Sequence, residues 1–222
     1  YLPGAASNYA STPDSVANSI TGDIDIRFYG SLASWAADSS LVAKQGGAGA
    51  RSYRLYITSG APAGRLVFQF STDGTTNTTI ASTVATGFSA GSANWVRVTF
   101  DVDNGAGGAD CKFWTSSDGD SWTQLGTTQT HGATVSIFDA NRVVEISDTA
   151  GVYTAGKIYR AIIKNGIDGT TAVDFNPADA DGDGDTSFAS STTGETWTIN
   201  SSGSLPAQIV GRAAALFNGT SH

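Results

Sequence analysis

Apolar and polar residues alternate in short runs along the chain, and helical spacing is hard to find. A period of two is the mark of half-buried strands. Candidate strands fall at 23–30, 41–44, 52–58, 65–71, 94–102, 111–117, 122–127, 142–147, 157–166, 172–175 and 196–200. In the run NWVRVTFDV, Val96, Val98, Phe100 and Val102 share one face, and Arg97, Thr99 and Asp101 share the other. One face belongs to a core and the other to water. Trp95 and Trp197, in apolar strands, are assigned to the core. Asp73-Gly74, Asn104-Gly105, Asp118-Gly119, Asn165-Gly166 and Asp168-Gly169 supply the residues that tight turns demand. In CKFWTSSDGDSWTQLG, two strands flank Asp118-Gly119 and predict a hairpin with Trp114 and Trp122 near its turn. This many short strands with regular turns predict an all-β fold, an antiparallel β-sandwich.

A chain of 222 residues suits one large sandwich. No linker divides it, but strand signals thin out after Pro206, so the expected division is a sandwich over 1–205 and a C-terminal segment over 206–222. At that size roughly 70–75% of the unfolded surface is buried, so folding alone requires no disulfide or metal. Twelve basic against 20 acidic residues give a net charge of −8, which excludes nucleic acid as an expected partner, because such binding rests on Lys and Arg neutralising phosphates. The charged fraction is only 14%, while Gly, Ser and Thr abound, a composition that suits an extracellular or virion protein. No apolar run approaches the length of a membrane span, and no signal-peptide core is visible, so no membrane insertion is expected. Cys111 is the sole cysteine and, within a strand, reads as a buried structural thiol. Methionine is absent, which points to an excerpt or a processed product.

Several segments together resemble the concanavalin A-like, laminin-G-like jelly-roll modules, especially those of phage minor tail proteins and other virion proteins. They are YASTPDSVANSITGDIDIRF, LVAKQG with RSYRLYI, LVFQFSTDG, WVRVTFDVDNG with KFWTSSDGDSWTQLG, and DFNPADADGDGDTSFASSTTGETWTIN, and they cover nearly the whole chain. The resemblance implies a concanavalin A-like jelly roll acting as a non-catalytic virion structural or adhesion module. Its expected place is the virion surface or another extracellular site. Its expected partners are other virion proteins, neighbouring copies of itself and host-surface glycans. The alternative setting is a carbohydrate-binding or repeat module of a bacterial extracellular protein. In such modules an F-D/N-G-T-x-x-Y pattern opens the first strand; here LFNGTSH closes the chain and YLPG opens it. The tail 214–222 is therefore expected to supply the opening strand of this module or of a following one.

The densest candidate for chemistry is NPADADGDGDTSF. Asp179, Asp181, Asp183 and Asp185 alternate around Gly182 and Gly184, which matches the first half of a calcium loop. The second half fails, since a twelve-residue loop counted from Asp179 ends at Ser190 rather than at a bidentate acid. A Ca²⁺ cofactor and a hydrated acidic loop both remain open. Glu145 and Glu195 are the only glutamates, and Glu145 alternates with Val144 and Ile146, so it points outward. The E-x-D-x-x-E cluster of β-glucanases sharing the jelly roll is absent, and no G-x-S-x-G elbow occurs, so catalysis is not expected. His131, in THGA, reads as a loop residue. For glycans, which need aromatic faces beside fixed polar groups, the candidates are Trp35, Tyr53, Tyr56, Trp114 and Tyr159, with Arg51 and Arg54 as donors. Trp35, in LASWAADSS, is the candidate expected to be exposed.

Overall fold

A computed structural model of the chain describes residues 1–149, 151–202 and 207–210. The expected boundary at 205/206 and the tail 214–222 lie outside the described residues. Among the described residues eighteen strands follow one another: β1 (Leu2–Pro3), β2 (Tyr9–Thr12), β3 (Ile24–Leu32), β4 (Ser39–Gln45), β5 (Arg51–Thr58), β6 (Arg65–Phe70), β7 (Thr78–Ala85), β8 (Ala93–Asp101) and β9 (Ala109–Ser116), then β10 (Thr123–Gln124), β11 (Gln129–His131), β12 (Val144–Ile146), β13 (Asp148–Thr149), β14 (Val152–Tyr153), β15 (Ala155–Asn165), β16 (Thr170–Phe175), β17 (Ser187–Ala189) and β18 (Thr196–Asn200). The only helical pieces among the described residues are single 3₁₀ turns at Val16–Asn18 and Pro177–Asp179.

The first sheet runs β1-β15-β3-β8-β9-β10, with β16 also on β15 and β11 also on β9. The second runs β17-β18-β2-β12-β4-β5-β6-β7, and β13 and β14 form a small ribbon. Every pairing is antiparallel. Strand alternation drives the packing: Ile24, Ile26, Phe28, Val96, Val98 and Phe100 leave the first sheet on the same side and meet Leu55, Ile57, Phe68 and Phe70 of the second in one core. Phe100 lies 5.2 Å from Phe68 and 4.7 Å from Phe70, ring centre to ring centre, so the two sheets touch through aromatic contacts. The molecule is a jelly-roll β-sandwich.

The hairpin expected at Asp118-Gly119 forms, with Thr115 opposite Thr123 and Trp114 opposite Gln124. Gly119 has φ +82°, and an added Cβ would sit 2.8 Å from the Trp95 ring, so this turn requires glycine. Two expectations for β8 are corrected. Arg97 and Thr99 lie on the outer face as parity requires, yet they are buried rather than wet. Trp95 shares that outer face and is half-buried, so it is not a core residue. The long strand Thr78–Ala85 escapes periodicity because it forms an edge rich in Thr and Ser, where only one neighbour constrains it.

Candidate functional site

The glycan candidates chosen from sequence do not form one site: Tyr159 and Trp114 lie on the first sheet, Arg51, Tyr53, Arg54 and Tyr56 on the second, and Trp35 outside both. Trp35 is 2% exposed, donates Nε1–H to the Ser92 carbonyl at 3.1 Å and packs edge-on against Phe88. Tyr53 is fully buried and its hydroxyl donates to the Asn18 carbonyl at 3.1 Å. Both are core residues and leave no free face, which corrects their placement on a binding surface. Arg51 stands at the end of β5 and donates Nη1–H to the Thr75 carbonyl. Arg54 and Tyr56 share the outer face of the second sheet, the guanidinium 4.0 Å from the ring centre.

The acidic loop does not gather into a metal group. Asp179 accepts hydrogen bonds from the Ser191 amide (3.0 Å) and hydroxyl (2.9 Å), and Asp185 accepts from the Gly182 amide at 2.8 Å. Asp181 and Asp183 are exposed. Among the described residues no three His, Cys, Asp or Glu side chains come together as a metal site. Asp179 and Asp185 thus spend carboxylate oxygens on partners within the chain itself.

What the fold does bring together is an aromatic row on the outer face of the first sheet. Tyr29 on β3 lies directly opposite Trp95 on β8, and their rings stack with centres 4.8 Å apart and planes 8° from parallel. Tyr159 adds to the row at 4.9 Å from Tyr29. It is the extra residue where the β15–β3 register shifts between Ile158 and Arg160, and such a bulge re-aims a side chain outward. Tyr159 is 39% exposed. At the other end Trp122, delivered by the β9–β10 loop, meets Trp95 edge-on at 6.3 Å.

Beside this row the same face carries a charged quartet. Arg27 and Arg97 are direct cross-strand neighbours, a like-charge pair that needs neutralising. The buried Asp25 takes Nε–H and Nη2–H from each, at 3.2 and 2.8 Å from Arg27 and at 2.9 and 2.8 Å from Arg97. Asp168, at φ +54° in the β15–β16 turn, bridges the two guanidinium groups from the solvent side. Its carboxyl, raised by burial, is pulled below the usual range overall by hydrogen bonds and charge from Arg97 and Arg27. Trp122 lies over both arginines at 5.5 and 5.6 Å, and Trp114 lies 5.9 Å from Arg97. Each guanidinium has five N–H donors and spends Nε and Nη2 here, so both Nη1 groups remain for another acceptor. Aromatic surface, unspent planar donors and an exposed carboxylate are the components that hold a polyhydroxylated ring by its apolar and polar sides at once.

Other chemically notable side chains serve packing. Burial pushes the Cys111 thiol well above its ordinary value, in keeping with a structural role. His131 is not in a loop but ends the edge strand β11, opposite Ala109, with its ring edge-on to Phe70. Glu145 lies on the outer face of the second sheet, as its alternation requires, but is buried there. Between the edges of the two sheets is a cavity of about 490 Å³, lined by Leu2, Ile146, Ile158, Phe175, Ile199 and Ile209 among others. Tyr1 pairs with the segment 207–210 beside it: the Gln208 amide donates to the Tyr1 carbonyl at 3.1 Å, and the Tyr1 nitrogen donates back to the Gln208 carbonyl at 2.8 Å.

The fold defines the molecule as a jelly-roll β-sandwich. No family model and no curated protein matches the sequence. Among solved structures, the CBM40 module of the Ruminococcus gnavus IT-sialidase bound to α2,3-sialyllactose is similar, with a TM-score of 0.51 and 17% identity over 74% of this chain and 90% of that one. A second structure of the same module gives 0.50 and 16% over 74% and 91%. The native heptameric SAP-like pentraxin of Limulus polyphemus gives 0.49 and 11% over 74% of each chain. The enzymatically active domain of bacteriophage CBA120 tailspike protein 2 gives 0.43 and 12%, over 68% of this chain and 23% of that one. At such identities the likeness concerns the fold alone. No helix among the described residues is long and apolar enough to cross a membrane.

Proposed function

We propose that the chain is a non-catalytic carbohydrate-binding module that holds glycans on the outer face of its first sheet. The observation that carries this reading is the aromatic row Tyr159–Tyr29–Trp95–Trp122 running beside the unspent donors of Arg27 and Arg97. A sugar ring lays its C–H face on exposed aromatic surface and turns its hydroxyls toward Arg27, Arg97 and Asp168. The similar CBM40 module was solved with a sialylated trisaccharide, which supports carbohydrate as the ligand class. The setting we propose is a virion or other extracellular surface, with other virion proteins or further copies of the chain alongside. That setting rests on the sequence resemblance and on the hydroxyl-rich, charge-poor composition.

The test is a glycan array on the purified chain, followed by calorimetry of any hit with Tyr159→Ala and Trp95→Ala variants. Selective binding that weakens about tenfold, or about 1.4 kcal/mol, in each variant is expected. Near-UV circular dichroism should still show a packed core. Absence of any selective glycan, or hits that both variants bind as well as the parent, would discard the reading.

A further inference from the structure

The described residues include seven arginines, and most are accounted for. Arg27, Arg97, Arg142 and Arg160 form ion pairs with carboxylates, and Arg51 donates to the Thr75 carbonyl. Arg54 and Arg65 do neither, and register places them on the same face of the second sheet. Arg54 is opposite Gln69, Tyr56 opposite Val67, and Thr58 opposite Arg65. The two arginines thus stand at opposite ends of the Tyr56–Val67 pair, roughly 13 Å apart by strand rise.

Arg54 is the more telling of the two. It is 9% exposed, its guanidinium lies against the Tyr56 ring, and its buried Nε–H finds no acceptor among the described residues. The Nε–H of Arg65 is buried and unmet as well. The acceptor directly across from Arg54, Gln69 Oε1, is already taken by the Gln45 amide at 3.2 Å, and the Gln69 amide is held by Thr79 at 2.8 Å. The one acid in the same cross-strand row, Glu145, stands two strands away beyond Ala43 and pairs with Arg142. A cation withdrawn from water with no counter-charge is costly, and here the chain has an excess of acids from which a partner could have been drawn.

We infer that this face is an oxyanion-binding site. A carboxylate or sulfate group of a ligand is received by the planar fork of Arg54, Tyr56 forms the floor beside it, and Arg65 meets a second acceptor further along. A guanidinium fork matches both groups in bidentate geometry, which a point-charge ammonium does not. The site lies on the sheet opposite the aromatic row and does not depend on the glycan reading given for that row.

The test is to follow the arginine Nε–H signals of the full chain by NMR while titrating sodium sulfate or sodium glucuronate at constant ionic strength. Fixed ionic strength removes general salt effects. A saturable shift of the Arg54 signal, with a smaller one at Arg65, is expected. By calorimetry, Arg54→Gln and Arg54→Lys should each lose at least about tenfold in affinity, while Trp95→Ala keeps it. A response to glucuronate alone assigns the carboxylate, a response to sulfate alone assigns the sulfate, and a response to both assigns a general oxyanion site. No saturable Arg54 shift with either salt, or unchanged affinity in Arg54→Lys, overturns the inference. The wild-type titration decides the matter even where Arg54→Gln does not fold.

Discussion

Arg97 on β8 closes a two-bonded fork on Asp25 of β3, Nε to Oδ1 at 2.9 Å and Nη2 to Oδ2 at 2.8 Å, although 72 residues separate them in sequence. The carboxylate is fully buried and receives a second fork from Arg27. Two like charges that face each other across the first sheet are thereby fixed side by side beneath Trp122. The charge network and the aromatic row are one construction.

Asp25→Ala should therefore be far more damaging than an ordinary surface change. It leaves Arg27 and Arg97 opposed with only Asp168 between them, and breaking a buried pair from one side costs about 3–5 kcal/mol. Urea denaturation measures it. A loss below about 1 kcal/mol would mean that the quartet does not hold the sheet.

A backbone position supplies an independent test of the same sheet. Gly156 on β15 has φ +142°, and a Cβ there would come within 2.4 Å of the Ser31 carbonyl oxygen and 2.8 Å of Leu32 Cα. Gly156→Ala must push β3 and β15 apart beside β1, so a loss of about 2 kcal/mol or more is expected. Gly132→Ala, where nothing lies within 4 Å of the added atom, should stay within about 0.5 kcal/mol of the parent. Equal melting temperatures for the two variants would contradict the close approach.

Much of the fold was legible because alternation is a local property that two packed sheets preserve. The site was legible only in part. Trp95 stands two residues before Arg97, so strand parity already put it on the outer face; assigning it by the apolar strand around it sent it to the core. Parity likewise separates Tyr53, in step with Leu55 and Ile57, from Arg54. The burial of Arg97 could not be read locally, because it depends on Asp25 from another strand and on Trp122 from a hairpin loop. Trp35 was misplaced for a similar reason: its loop folds onto Phe88 and Ser92, which no periodicity announces.

The acidic loop yields a prediction opposite to its motif. With Asp179 engaged by Ser191 and Asp185 by the Gly182 amide, millimolar Ca²⁺ and chelator should give melting temperatures equal within about 1 °C. A bound ion at 100 times its dissociation constant would add about 2.7 kcal/mol, which a thermal scan detects. Such a rise would reinstate the calcium loop.

Glu145 makes stability depend on pH in a direction unusual for an acid. It is 7% exposed between Ser11 and Ala43 of the second sheet, and its nearest cation, Arg142, is 3.5 Å away. Burial pushes its carboxyl up to about 7 despite the pull of Arg142, and Asp148 adds to the rise. The folded chain thus holds a proton that the unfolded chain releases near pH 4.5, so between those values the native state binds more protons. Stability must then fall as pH rises from about 4.5 to about 7 and level off above, by at most about 3 kcal/mol. Asp148 is raised in the same sense, mainly by burial, and would persist as a background in any variant. Glu145→Gln keeps the shape without the titration, so the difference between parent and variant isolates the group. The variant should gain on the parent steadily from pH 5 to pH 7 in urea denaturation. Parallel profiles for the two proteins would show that Glu145 is ionised in the folded chain.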